Sequence, residues 1–153
     1  MIGGVLLILG VALGLTDYLI DADITARAVE WTTHTIHSPW VFLLVLNLFL
    51  LIVGCLMDIY SAIVIQAPLL VPIAAAFGID PIHLGIIFLA NLELGYLTPP
   101  VGLNLYMSSY RFGKPIPEVL RSVIPIVIVM FVTVLLITYV PWLTTALPNW
   151  VGH

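Results

Sequence analysis

The sequence predicts an all-α integral membrane protein whose transmembrane helices include one broken by proline. Three observations carry that reading. Of 153 residues, 62% are hydrophobic and only 8% are charged, whereas soluble domains run at roughly 45–50% and about 25%. So few charges cannot dress a water-facing surface, and a bilayer is the solvent that such a chain suits. Apolar runs recur along the chain, each long enough to cross about 30 Å of hydrocarbon at about 1.5 Å per residue. Within one of those runs stands Thr98-Pro99-Pro100, which no continuous helix accommodates.

The same counts exclude several functions. The net charge is −4 with only four Lys and Arg, so nucleic-acid binding has no electrostatic footing. The single cysteine, Cys55, permits no intrachain disulfide and no cysteine-rich metal site. In its apolar run it reads as a small buried filler. No Ser/His/Asp or Gly-x-Ser-x-Gly pattern points to an enzyme, and no cofactor is expected.

Residues 1–20 read as a membrane helix. Ile2 to Ile20 contains one charge, Asp17, near its end. No Lys or Arg precedes the run and no small-x-small cleavage site follows it, which argues against a signal peptide. Residues 21–38 change character, with Asp21, Asp23, Arg27, Glu30, His34 and His37. Ile24, Ala28, Trp31, Thr35 and Ile36 fall near one helical face, so this segment reads as an amphipathic interfacial helix anchored by Trp31 and Trp40. His34 and His37 have a spacing that suits a metal, but no third ligand is evident and the interfacial role is preferred.

Residues 39–77 form the densest apolar stretch, with one charge, Asp58, at its middle. Two readings compete. One is a pair of ordinary spans joined at Gly54 to Asp58. The other is a re-entrant hairpin with its tip deep in the protein. A lone carboxylate at a tight turn favours the hairpin, because intramembrane acids face a protein interior or a wet cavity. Asp58 itself either caps the tip or contacts substrate or a cation.

Residues 78–110 begin with a turn in which Asp80 suits an N-cap and Pro81 the first helical position. His83, near this helix start, reads as structural. Pro99 and Pro100 then remove two amide donors and push the residues before them out of the α region. The helix must break, which frees carbonyls at one end and amides at the next start. Broken backbone is not tolerated against lipid, but it is tolerated where it lines a cavity. Gly95 and Gly102 flank the break, and Thr98 adds a hydroxyl. Such unwound segments bind ions in secondary transporters. A simple proline kink is the bland alternative. Asn91 and Glu93 precede the break; Glu93 is either a proton or cation site or a carboxylate bonded to nearby amides, Asn or Tyr. Asn104, just after it, suits substrate or the exposed carbonyls.

Residues 111–117 make a short polar loop, and 118–153 a final transmembrane helix and tail. Arg111, Lys114 and Arg121 cluster there, so the positive-inside rule places this loop in the cytoplasm and the C-terminus outside. All four tryptophans (Trp31, Trp40, Trp142 and Trp150) then lie at the outer interface, where aromatic belts form.

Several motifs agree in order and spacing with one known family. Val53-Gly-Cys-Leu-Met-Asp58, Pro68-Leu-Leu-Val-Pro72, Gly78-Ile-Asp-Pro81, His83-Leu-Gly-Ile-Ile87 and Asn91-Leu-Glu-Leu-Gly-Tyr-Leu-Thr-Pro-Pro-Val-Gly-Leu-Asn-Leu105 resemble the C-terminal repeat of the large permease subunit (DctM type) of TRAP transporters. The likeness runs over roughly residues 39–145. It implies one half of an inverted-repeat elevator transporter in the bacterial inner membrane, importing organic acids such as dicarboxylates or sugar acids on a sodium gradient. Its implied partners are a periplasmic substrate-binding protein (DctP type), a small membrane subunit (DctQ type) and the N-terminal half of the permease. It implies that 39–77 is the outer re-entrant hairpin. It also implies a sodium site joining the tip to the break, at Gly54, Gly95, Thr98 and Val101, mostly through carbonyls suited to a hard cation. Asp58 matches the family's tip aspartate. Glu93 stands where many members carry a small or apolar residue, which marks a subfamily. The chain is shorter than such a subunit, so a fragment, split gene or truncated product is expected, unable to transport alone. The alternative class is a channel or structural membrane subunit with the break lining a pore.

Overall fold

The computed structural model describes residues 10–11, 14, 18, 23–57, 59–99 and 102–151. Among these the chain is helical throughout, without strands. Its elements are α1 (Ile24–Thr35), α2 (Pro39–Leu56), α3 (Ile59–Ala76), α4 (Pro81–Tyr96), α5 (Leu103–Phe112), α6 (Ile116–Tyr139) and α7 (Trp142–Val151). Three of them, α2, α3 and α6, are long and apolar enough to cross a membrane. This is an all-α membrane protein. Most of the expected 1–20 helix lies outside the described residues.

The core is the seam between α2 and α4. Pro39 starts α2 at a position where its missing N–H costs nothing. Leu43, Leu46, Leu50 and Val53 recur at three- and four-residue spacing along α2, and Leu84, Ile87, Phe88 and Leu92 answer from α4. That periodicity gives each helix one narrow packing stripe. Asp80 starts α4 as the sequence predicts, its Oδ1 accepting from the backbone N–H of Ile82 at 2.8 Å and of His83 at 3.2 Å.

α2 ends at Leu56, and α3 returns so that Phe77 stacks on Phe42 with ring centroids 4.5 Å apart. The ends of α2 and α3 remote from their connection therefore meet. α3 runs through Pro68 and Pro72 without ending, although each proline takes one amide from the ladder.

α1 packs on α3 through a face that shares Ala28 and Ile36 with the one the sequence predicts. Thr32 is buried and Ala28, Val29 and Ile36 pack on the core, while Trp31 is exposed. The Thr32 hydroxyl donates to the Ala28 carbonyl at 2.7 Å. Satisfied locally, this short polar side chain can face inward, leaving the bulky indole outside.

The polar loop is tighter than expected. α5 continues to Phe112 and stops at Gly113, whose φ of 61° closes the helix as a left-handed cap. α6 starts at Ile116, and Lys114 pairs with Glu118 across its first turn. α6 buries Val134 and Thr138 and exposes Ile126, Ile128, Val129, Phe131 and Val132. A helix so apolar on its exposed face suits lipid or a further protein surface. The Trp-containing tail is helical as α7, with the Thr144 and Thr145 hydroxyls bonded to the Pro141 carbonyl.

Candidate functional site

α4 breaks where the prolines require it. Its last carbonyls turn inward on local donors. The Leu94 carbonyl accepts from the Leu97 N–H at 3.1 Å and from the Thr98 hydroxyl at 2.8 Å, and the Gly95 carbonyl accepts from the Thr98 N–H at 3.0 Å. Helix resumes after Gly102, which adopts φ 51°. A Cβ there would lie 2.9 Å from Leu105 Cδ1 and 3.0 Å from the Thr98 carbonyl oxygen. Glycine is needed at this point both for its dihedral and for its lack of bulk.

The end of α2 rests directly on this break. A Cβ on Gly54 would approach Leu92 Cα to 2.9 Å, and one on Gly95 would approach the Gly54 carbonyl carbon to 2.6 Å. The two helices thus touch backbone to backbone. Beside them Cys55 Sγ reaches the carbonyl oxygens of Thr98, at 3.3 Å, and Pro99, at 3.2 Å. A cavity of about 200 Å³ adjoins this junction, lined by Leu51, Ile52, Cys55, Leu56, Thr98 and Pro99.

The structure therefore brings together Gly54, Gly95, Thr98 and Pro99 from two segments some forty residues apart. Asp58, Pro100 and Val101 lie outside the described residues. Asn104 is half-buried in the first turn of α5. Glu93 is exposed, whereas its neighbours Leu92 and Gly95 face α2. Chemically the junction offers backbone carbonyls and one hydroxyl. The Thr98 hydroxyl gives its proton to Leu94, which leaves its own lone pairs available.

Asn91 belongs to a separate buried polar chain. Its Nδ2 donates to Asn47 Oδ1 at 2.6 Å and to the Ile87 carbonyl at 2.8 Å. The Thr138 hydroxyl lies 3.1 Å from the same Asn47 oxygen and 2.8 Å from the Val134 carbonyl. His83 is buried, with Nε2 3.2 Å from the Thr138 carbonyl and Nδ1 2.7 Å from the Thr144 hydroxyl. This chain ties α2, α4, α6 and α7 together. Sequence reasoning missed Asn47 and Thr138. A signal existed for Asn47, the lone amide side chain in the apolar run of α2, since such a group needs a partner in a membrane.

Residues 1–143 match the family described as tripartite ATP-independent periplasmic transporter, DctM component. The chain belongs to that family. Among curated relatives, the C4-dicarboxylate TRAP transporter large permease protein DctM of Pseudomonas aeruginosa is 45% identical over 134 residues, which is 88% of this chain and 31% of the relative. The sialic acid TRAP transporter large permease protein SiaM of Vibrio cholerae is 38% identical over 112 residues, 73% of this chain and 26% of the relative. The isethionate TRAP transporter permease protein DctMQ of Oleidesulfovibrio alaskensis is 43% identical over 99 residues, 65% of this chain and 16% of the relative. The chain thus spans about a third or less of the length of these DctM-family permeases, which are transporters and not enzymes. As a member of the DctM family it is a multi-pass membrane protein of a transport system.

Proposed function

We propose that this chain forms the part of a TRAP-type large permease that binds the coupling sodium ion during import of an organic acid. The observation that carries the reading is the junction itself: the α2 end seated on the α4 break, with Gly54, Gly95 and Thr98 in one place. The carbonyls at the break, each with a second lone pair beyond its present donor, and the Thr98 hydroxyl are hard oxygen ligands, the kind that alkali and alkaline-earth cations take. Sodium binds there, with Val101 as a further carbonyl ligand, and stabilises contact between tip and break. Residues 39–77 act as a re-entrant hairpin and 78–110 as a discontinuous helix, and the unit moves as part of an elevator. Asp58 and Asn104 contact substrate.

The substrate is an organic acid. Three relatives are named for C4-dicarboxylate, sialic acid and isethionate, all of them anions, and the first is among the most similar. A periplasmic binding protein delivers the acid, and a small membrane subunit of DctQ type supports the permease. The fused name DctMQ of one relative favours that second partner. The Arg111, Lys114 and Arg121 region, exposed at the α5–α6 turn, is cytoplasmic, and the C-terminus is periplasmic.

The test uses a complete DctM-family permease carrying residues 39–145 of this chain, reconstituted with its small subunit and binding protein. Uptake of labelled C4-dicarboxylate, sialic acid and isethionate is measured with and without sodium. Saturable uptake of an acid that requires both sodium and the binding protein is expected. Graded ion conductance without saturable uptake would replace the carrier by a pore.

A further inference from the structure

We infer that Cys55 is a positioning residue for the cation site, holding the Thr98 and Pro99 carbonyls turned toward the tip of α2. The inference rests on the proposed reading of tip and break as a cation site.

In a continuous helix the carbonyls of Thr98 and Pro99 would meet amides four residues on. The turn of Gly102 to φ 51° ends that ladder. Among the described residues, a donor reaches these carbonyls from across the fold. Cys55 Sγ lies 3.3 Å from one and 3.2 Å from the other, so the thiol is placed to donate to either. The thiol has little freedom to swing away. Cys55 is buried, and its backbone nitrogen lies 2.8 Å from where a Cβ on Gly95 would stand. The same glycine contact that seats the tip therefore fixes the root of this side chain.

The chemistry of sulfur suits this task. A thiol is a weak donor, and a neutral sulfur is a poor ligand for a hard cation. It can orient two carbonyls without displacing the ion from them. Each carbonyl keeps a second lone pair for the cation. An alkyl group at position 55 would leave both oxygens without this donor, free to turn away before the ion arrives. Serine supplies a stronger donor at the same position on a shorter bond, with part of its population bonded back to its own helix. The expected order of sodium affinity is therefore parent, then Cys55→Ser, then Cys55→Val.

The experiment measures acid uptake against sodium concentration in the chimaeric permease described above, in its complete complex. For Cys55→Val the half-saturating sodium concentration rises about threefold to tenfold, as loss of a modest hydrogen bond predicts. The saturated uptake rate and the thermal unfolding temperature stay close to those of the parent. Cys55→Ser recovers most of the shift. Where Cys55→Val fails to assemble, Cys55→Ala, which only removes the sulfur, gives the same reading. An unchanged or lowered half-saturation in the alkyl variants overturns the inference, as does an equal shift in Cys55→Ser. Parent uptake that ignores sodium overturns the cation site itself and this inference with it.

Discussion

Substitution of Gly95 by alanine tests the α2–α4 junction more severely than any other single methyl group. The added carbon would stand 2.6 Å from the Gly54 carbonyl carbon, 2.7 Å from its Cα and 2.8 Å from the Cys55 nitrogen. All three atoms are backbone, so no rotamer change relieves the clash. Ordinary contact begins at 3.4 Å, and the helices must part by about 0.8 Å in an interior that is otherwise close-packed. Overpacking of this kind costs about 1–3 kcal/mol, and rigid backbone on both sides puts Gly95→Ala at the upper end. Gly85→Ala is the matched control on the same helix. A Cβ at Gly85 meets nothing within 4 Å, so alanine there gains up to about 1 kcal/mol of helix propensity. The assay is reversible unfolding of the chain in detergent micelles, with both variants beside the parent. Equal stability of Gly95→Ala and Gly85→Ala would refute the backbone contact.

The buried amide pair gives a second test. Asn47→Ala deprives both Asn91 and Thr138 of their shared acceptor and is expected to cost about 1–3 kcal/mol. A double-mutant cycle of Asn47 and Asn91 should return a coupling energy of about 0.6 kcal/mol, the average for hydrogen bonds between membrane helices, and up to about 1.7 kcal/mol, and no coupling would contradict the pairing. Glu93→Gln should leave the half-saturating sodium concentration of the chimaera unchanged, because Glu93 is exposed while Leu92 and Gly95 face the tip; a large shift in uptake against sodium would place Glu93 in the cation site. Lys114→Ala removes an exposed ion pair with Glu118 and is expected to change unfolding stability by no more than about 1 kcal/mol.

Much of this fold is legible in the sequence because membranes make few demands and make them strictly. The Thr98-Pro99-Pro100 break is dictated by missing amides, and the structure ends α4 and restarts α5 on either side of it. Asp80 and Pro81 announce a helix start through local chemistry alone, and they provide it. What sequence reading loses is which face of a helix meets which neighbour. The inward face of α1 is set by α3, which takes in Val29 and Thr32 beside Ala28 and Ile36 and leaves Trp31 exposed. The contact of Gly54 with Gly95 is a meeting across some forty residues; the glycines were visible, but family resemblance and not spacing brought them together. Cys55 shows the limit most clearly. As a residue in an apolar run it reads as a filler, and only the approach of the Thr98 and Pro99 carbonyls makes it a donor. The Asn47 partnership depends on α6 lying over the seam, which hydropathy cannot foresee.

The claim that the α2 tip and the α4 break form a cation site is tested most directly at Thr98. Acid uptake by the chimaeric permease is measured as a function of sodium concentration for the parent and for Thr98→Ala, which removes the hydroxyl and keeps the backbone. Loss of an oxygen that serves a charged partner should raise the half-saturating sodium concentration at least about tenfold. A sodium curve identical to that of the parent would contradict the account.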